Sequence, residues 1–158
     1  MKILEVVDKL EKSAEFLIYK GTNPTGFLMT IFCIFETEHA DDWTVSYYNP
    51  STKKSTSFHV SQTTVLLMEV HDSENVKELN LRKPNIELEE ALSLARENFE
   101  KKSPDRIMKT IAIMQNLDDG QVWNISFLTS SFNVYNCKIH TESKEKLEES
   151  LGKMFRTG

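Results

Sequence analysis

The feature that most constrains the fold of this chain is an internal similarity at a spacing of 80 residues. The segment WTVSY at 43–47 returns as WNISF at 123–127, and Pro24 returns as Pro104 in a similar turn. With Thr30-Ile31 and Thr110-Ile111, this makes five identities without a gap, where composition alone gives about two. The spacing predicts duplication of one small unit, with repeats over 1–80 and 81–158 inside a single compact domain.

Hydrophobic periodicity predicts one helix and three strands in the first repeat. Apolar residues recur at helical spacing over 3–20, and turn residues follow at 21–26. Residues 27–35 are rich in β-formers and apolar on both alternating faces, which predicts a strand covered on both sides of the sheet. Alternation predicts two further strands over 43–48 and 55–60.

The second repeat follows the same order and ends in an added helix. A helical stripe spans 88–99, and strands are predicted over 107–115, 122–128 and 132–140. The last helix is predicted over 144–155, on an apolar face made of Leu147, Leu151, Met154 and Phe155. The predicted fold class is therefore α+β: two αβββ repeats whose antiparallel sheets pack against helices, plus a C-terminal helix.

The linker over 61–86 has no counterpart in the other half. Within it, Val65–Met68 is predicted to extend a strand, whereas the segments 71–75 and 83–85 have loop-like compositions. The role of this linker stays open.

Charge and hydropathy exclude two classes of partner. The net charge of -5, from 19 basic and 24 acidic residues, does not supply the basic face that nucleic-acid phosphates require. The sequence contains no run of 18 apolar residues, so we expect no membrane-spanning helix. The acidic residue Glu5 comes too early for a signal peptide. The expected location is the cytoplasm.

Two cysteines, Cys33 and Cys137, lie far apart in apolar strand-like segments. We find no CxxC and no histidine at ligand spacing, and the pattern therefore predicts buried free thiols. A disulfide between them stays open, because duplicated halves bring distant strands together.

The order of helix, strand, tryptophan-containing strand and closing strand resembles tandem PepSY-type modules, which are small cystatin-like αβββ units. The helix opening IELEEAL at 86–92 and the segment WNISF at 123–127 carry the resemblance. One departure is the closing turn, where His140-Thr141-Glu142 replaces the acid-Ala-x-Thr-Gly-Glu turn common in that family. The resemblance implies non-catalytic modules that bind or restrain protein partners such as peptidases, and it carries over no catalytic residue.

Candidate sites are few. The acid-rich connection holding Glu36, Glu38, His39, Asp41 and Asp42 lacks the spacing and glycine of an EF-hand, so we interpret it as a solvated hairpin tip rather than a metal site. The tryptophans at 43 and 123 alternate with apolar residues and are expected in the core. Tyr48 and Tyr135 are predicted on the more polar faces, which makes them the candidate residues for partner contact.

Known catalytic and cofactor motifs do not occur in the sequence, including GxSxG, Walker A, GxGxxG and HExxH. The expected function is therefore a non-catalytic, cofactor-free protein or peptide binder, with a second copy of the chain as one partner to consider. Two alternatives stay open: a secretion-type chaperone that holds a client protein, and a small-molecule binder or cryptic enzyme.

Overall fold

The computed structural model describes residues 1–36 and 39–154. Within these residues, three helices and eight strands follow one another. Their bounds are α1 Ile3–Glu11, α2 Ala14–Thr22, β1 Phe27–Phe35, β2 Trp43–Asn49, β3 Lys54–Val60, β4 Val65–Asp72, α3 Leu88–Glu100, β5 Ile107–Leu117, β6 Gly120–Thr129, β7 Asn133–His140 and β8 Lys146–Lys153.

All eight strands belong to one antiparallel sheet with the order β4-β3-β2-β1-β5-β6-β7-β8. The first strands of the two halves, β1 and β5, pair at its centre, so the order is symmetric about that pair. Strands β1 and β5 begin 80 residues apart, at Phe27 and Ile107, and β4 and β8 begin 81 apart, at Val65 and Lys146. Eight strands make a surface about 34 Å wide, because neighbouring strands lie about 4.8 Å apart.

The predicted fold class of two αβββ repeats plus a C-terminal helix is wrong. Each half contributes four strands to a single continuous sheet, and residues 146–153 form the edge strand β8 instead of a helix. Leu147 and Leu151 share a face at helical spacing, but Leu147, Glu149 and Leu151 also alternate at strand spacing. Strand β8 pairs with β7 and provides hydrogen-bond partners for the outer backbone groups of β7. Local periodicity does not predict this pairing. Phe155 lies outside the described residues.

The single helix predicted over 3–20 is also wrong, because the chain breaks into α1 and α2. The Ser13 hydroxyl accepts a hydrogen bond from the Phe16 backbone N–H at 3.2 Å and caps α2. The break rotates the second segment, so that Phe16 and Tyr19 are buried while Leu17 and Ile18 are 62% and 75% exposed.

The three helices pack on one face of the sheet, which we call the helix face. The core joins buried side chains of α1, α2 and α3 to alternate residues of six strands, including Ile31, Val45 and Ile125. Aromatic rings fill the space in both halves: Phe16 lies 4.8 Å from Tyr47, and Phe99 lies 5.3 Å from Tyr135 between ring centroids. Within the described ranges, no helix is long and apolar enough to cross a membrane.

The end of the linker joins the two halves on the helix face. Leu79 is buried and its backbone N–H donates to the Leu28 carbonyl at 2.9 Å, while Ile86 donates to the Thr141 carbonyl. The Trp123 indole N–H in turn donates to the Ile86 carbonyl at 2.9 Å. The loop interpretation of 71–75 is wrong for His71 and Asp72, which belong to β4.

Candidate functional site

The face of the sheet opposite the helices, which we call the open face, carries a block of four large apolar side chains at its centre. Phe32 pairs directly with Ile113, and Ile34 pairs directly with Ile111, across the β1–β5 boundary. Ile34 is 47% exposed, and the other three side chains are half-buried. This apolar block is contributed equally by the two halves of the chain.

A polar network flanks the apolar block on the β6–β7 side. The Asn136 side-chain amide donates to the Asn124 amide oxygen at 2.7 Å and to the Ser126 hydroxyl at 2.8 Å. Asn124 lies opposite Ile113, and Ser126 lies opposite Ile111. Because these amides are already hydrogen-bonded, the flank is ordered without a ligand and keeps donors and acceptors beside an apolar surface.

Two lysine–carboxylate ion pairs and one histidine–aspartate contact lie around this surface. Lys109 lies 3.5 Å from Glu36, Lys138 lies 2.8 Å from Glu148, and the His59 imidazole lies 3.5 Å from Asp42. Leu128 and Val134 extend the apolar surface as a half-buried cross-strand pair. An apolar centre inside a polar rim is the anatomy of protein–protein interfaces.

The two tyrosines predicted to contact a partner lie in different places. Tyr48 lies on the open face but is 6% exposed, with its ring 5.6 Å from that of Phe27. The placement of Tyr135 on a polar face is wrong: its fully buried ring packs on the helix face against Phe99 and Phe127. A partner could reach either ring only after local rearrangement, so their role in partner contact stays a prediction.

The tryptophans and cysteines occupy the core. Trp43 and Trp123 are 2% and 0% exposed, which confirms the sequence-based interpretation. Cys33 and Cys137 are buried and free, and the row Cys33, Ala112, Ile125, Cys137 crosses four neighbouring strands. The two cysteines are thus about 14 Å apart, too far for a disulfide.

Two buried groups on the helix face, Cys33 and Tyr47, have strongly raised pKa values. Burial, with a smaller contribution from the Glu89 carboxylate, raises the pKa of the Cys33 thiol to about 12, so this thiol is protonated at neutral pH. Burial and then the Glu11 carboxylate raise the pKa of Tyr47, whose hydroxyl donates to Glu11 at 2.8 Å. These groups stabilise the packing of helices on the sheet.

Glu149 links stability to pH. The Tyr135 hydroxyl donates to its carboxylate at 2.6 Å and, as the largest cause, lowers the pKa of Glu149 below its ordinary 4.5. A carboxyl group whose pKa is lowered by folding stabilises the fold at pH values above its unfolded-state pKa. This stabilisation is lost as the pH falls through the folded-state pKa. We expect Tyr135→Phe, which keeps the ring, to cost about 1–3 kcal/mol at pH 7.

Urea unfolding at several pH values measures this effect. The variant should lose less stability than the wild type between pH 5 and 3, since part of the acid-sensitive contribution is already missing. Parallel stability curves for the two proteins would contradict the assignment.

The acid-rich connection is tied to the sheet by Glu36 and Asp42, through Lys109 and His59. Glu38 lies outside the described residues. Across residues 1–36 and 39–154, no group of three or more His, Cys, Asp and Glu side chains is placed to hold a metal ion.

A cleft of about 900 Å³ lies on the helix side, between α1 and the linker. Its lining includes Asp8, Glu11, Asn80, Gln121 and His140, and it is partly open to solvent. Asn80 and Gln121 are hydrogen-bonded to each other, since the Asn80 backbone N–H donates to the Gln121 side-chain oxygen at 2.7 Å. The small-molecule alternative, which requires a closed pocket, stays a prediction.

Sequence reasoning did not single out Phe32, Ile34, Ile111 and Ile113 as site residues. The apolar residues on both faces of these strands do indicate such a site. A sheet that packs helices on one face leaves its second apolar face for a partner. The Asn124–Asn136 contact depends on strand register and carries no local sequence signal.

No protein-family model, curated protein or solved structure matches this chain. The resemblance to PepSY-type modules therefore stays a prediction.

Proposed function

We propose that this chain is a non-catalytic protein-binding module that acts in the cytoplasm and holds a folded partner on the open face of its sheet. The observation that carries the proposal is the partly exposed apolar block of Phe32, Ile34, Ile111 and Ile113, which lies beside a hydrogen-bonded polar network. Two unpaired thiols support a reducing compartment.

The dimensions of the open face favour a protein over a small ligand. A standard interface covers about 800 Å² per partner, which a surface about 34 Å wide accommodates, whereas small ligands prefer enclosed cavities. The cleft between α1 and the linker is lined by other residues. A partner with a projecting apolar loop or helix would displace water from the apolar block and hydrogen-bond to its polar flank.

Site-specific photo-crosslinking in the source cells tests this proposal and captures the partner whatever its identity. A photoreactive phenylalanine derivative replaces Ile34 in one variant, Ile113 in a second, and Leu4 in a control, because Leu4 is 58% exposed on α1. We expect the two open-face positions to crosslink the same protein, and the control to crosslink it at least about tenfold less. Crosslinks confined to Leu4, or none at either open-face position, would overturn the proposal.

A further inference from the structure

The two edges of the sheet differ in a way that points to a second interaction surface. Strand β8 carries Lys146, Glu148, Glu149 and Lys153, the charges by which edge strands avoid pairing with other chains. Strand β4 instead begins with four apolar residues, and Leu66, Leu67, Met68 and Val70 are 51–55% exposed. Its outer backbone groups have no neighbouring strand within the described part of the chain.

Helix α2 extends this apolar edge. It contacts β4 and exposes Leu17 and Ile18, which the break at Ser13 turned away from the core. Six of the twelve exposed large hydrophobic side chains of the described residues lie on these two elements, so they form the main uncovered apolar region. Exposed apolar side chains that are concentrated on two neighbouring elements are typical of an interaction surface.

We infer that β4 pairs with β4 of a second copy of this chain, antiparallel and about a twofold axis perpendicular to the sheet. The axis passes between Met68 and Glu69. Across it, Leu67 lies opposite Val70 of the second copy, and Leu66 lies opposite His71. The same relation, two antiparallel strands sharing a sheet face, already joins β1 to β5 inside the chain.

A β-bulge in β4 specifies this register. The register against β3 shifts between Leu67 and Glu69, so Leu67 and Val70 lie on the helix face and Leu66, Glu69 and His71 on the open face. Met68 lies on the open face, where its sulfur accepts from the Thr44 hydroxyl at 3.8 Å. When the twofold axis passes between Met68 and Glu69, each β4 residue lies opposite a residue of the second copy that is on the same face of the sheet. Shifting the register by one residue in either direction places residues of different faces opposite each other.

Charge also favours the second copy. In this register Asp72 lies opposite Val65, which shares a groove with Lys9, Lys12 and Glu15. The dimer thus brings each Asp72 carboxylate toward a groove that holds two lysines and one glutamate. Pairing of β4 of one copy with β8 of the next would be head-to-tail and would produce an open chain of copies. Pairing of β4 with β4 uses the same strand of both copies and ends at a dimer.

Mass in solution tests the inference directly. The chain has a mass of 18.3 kDa, and light scattering should give twice that value for the wild type. Val70→Lys should weaken the dimer by about 100-fold, because pairing would bury unpaired ammonium groups. The control Leu151→Lys, at a 41% exposed position on β8, should leave the dimer intact. A monomeric wild type, or a dimer insensitive to Val70→Lys, would overturn the inference.

Crosslinking by oxidation tests the register. The double variant Leu67→Cys/Val70→Cys should form intermolecular disulfides, since residues directly opposite in an antiparallel pair lie within disulfide reach. The variant Leu66→Cys/Val70→Cys places cysteines on different faces and should crosslink at least about tenfold more slowly. Equal rates would exclude the proposed register. Neither measurement involves the open-face partner, so the two proposals fail independently.

Discussion

Replacing Trp123 with alanine is expected to lower the free energy of unfolding by about 3–5 kcal/mol, a large part of the stability of a domain this size. The side chain is fully buried in β6, between Met114 of β5 and Ile139 of β7. Its loss removes the largest side chain of the second half's core and leaves the Ile86 carbonyl without its donor. Urea unfolding followed by circular dichroism measures the change.

The tryptophan 80 residues earlier provides a matched control. The Trp43 indole N–H is buried without an acceptor among the described residues, whereas the Trp123 indole donates at 2.9 Å. Phenylalanine keeps an aromatic ring at both positions but removes the indole N–H. We expect Trp123→Phe to cost about 1–3 kcal/mol more than Trp43→Phe, because only the former breaks a hydrogen bond. Equal costs would show that the bond to Ile86 does not stabilise the linker.

Ile34→Asp is expected to weaken binding of the crosslinked partner by about 100-fold or more while leaving the fold intact. The carboxylate would be buried without a counter-ion at the centre of the apolar block, which is where interface hot spots lie. At 47% exposure in the free protein, the position tolerates a charge better than Ile113 does. Isothermal titration calorimetry with the purified partner gives the two dissociation constants.

A second variant and a control keep this prediction informative. Ile113→Thr, a milder change in the same block, should weaken binding by about tenfold without adding charge. Leu4→Asp, at an exposed position on α1, should leave the dissociation constant unchanged. Equal affinity of Ile34→Asp and wild type would show that the partner binds elsewhere.

The sequence predicts the apolar runs that form strands well, and it predicts the choice between helix and strand poorly where that choice depends on non-local contacts. Strand β1 matches its predicted bounds, and Val65–Met68 lies in a strand as predicted. The segment around Leu147 fits both periods, and only the edge of β7 makes it a strand. At Ser13, the hydroxyl can cap a new helix, but the break also depends on burial of Phe16 and Tyr19.

The candidate site shows the same division. Apolar residues on both faces of β1 and β5 predict that the second face needs a cover, and the structure places that face opposite all the helices. The meeting of Phe32 with Ile113 requires the central β1–β5 pairing, which joins residues about 80 positions apart. The burial of Tyr135 also requires the position of α3, because Phe99 packs on its ring.

Methyl NMR of the isoleucines tests the central claim most directly. Ile34, Ile111 and Ile113 lie on the open face, while Ile18 is 75% exposed on α2 and Ile125 is buried in the core. Titration with the crosslinked partner should shift the three open-face methyl signals and leave Ile18 unchanged. Shifts at Ile18 with unchanged signals from Ile34, Ile111 and Ile113 would contradict binding on the open face.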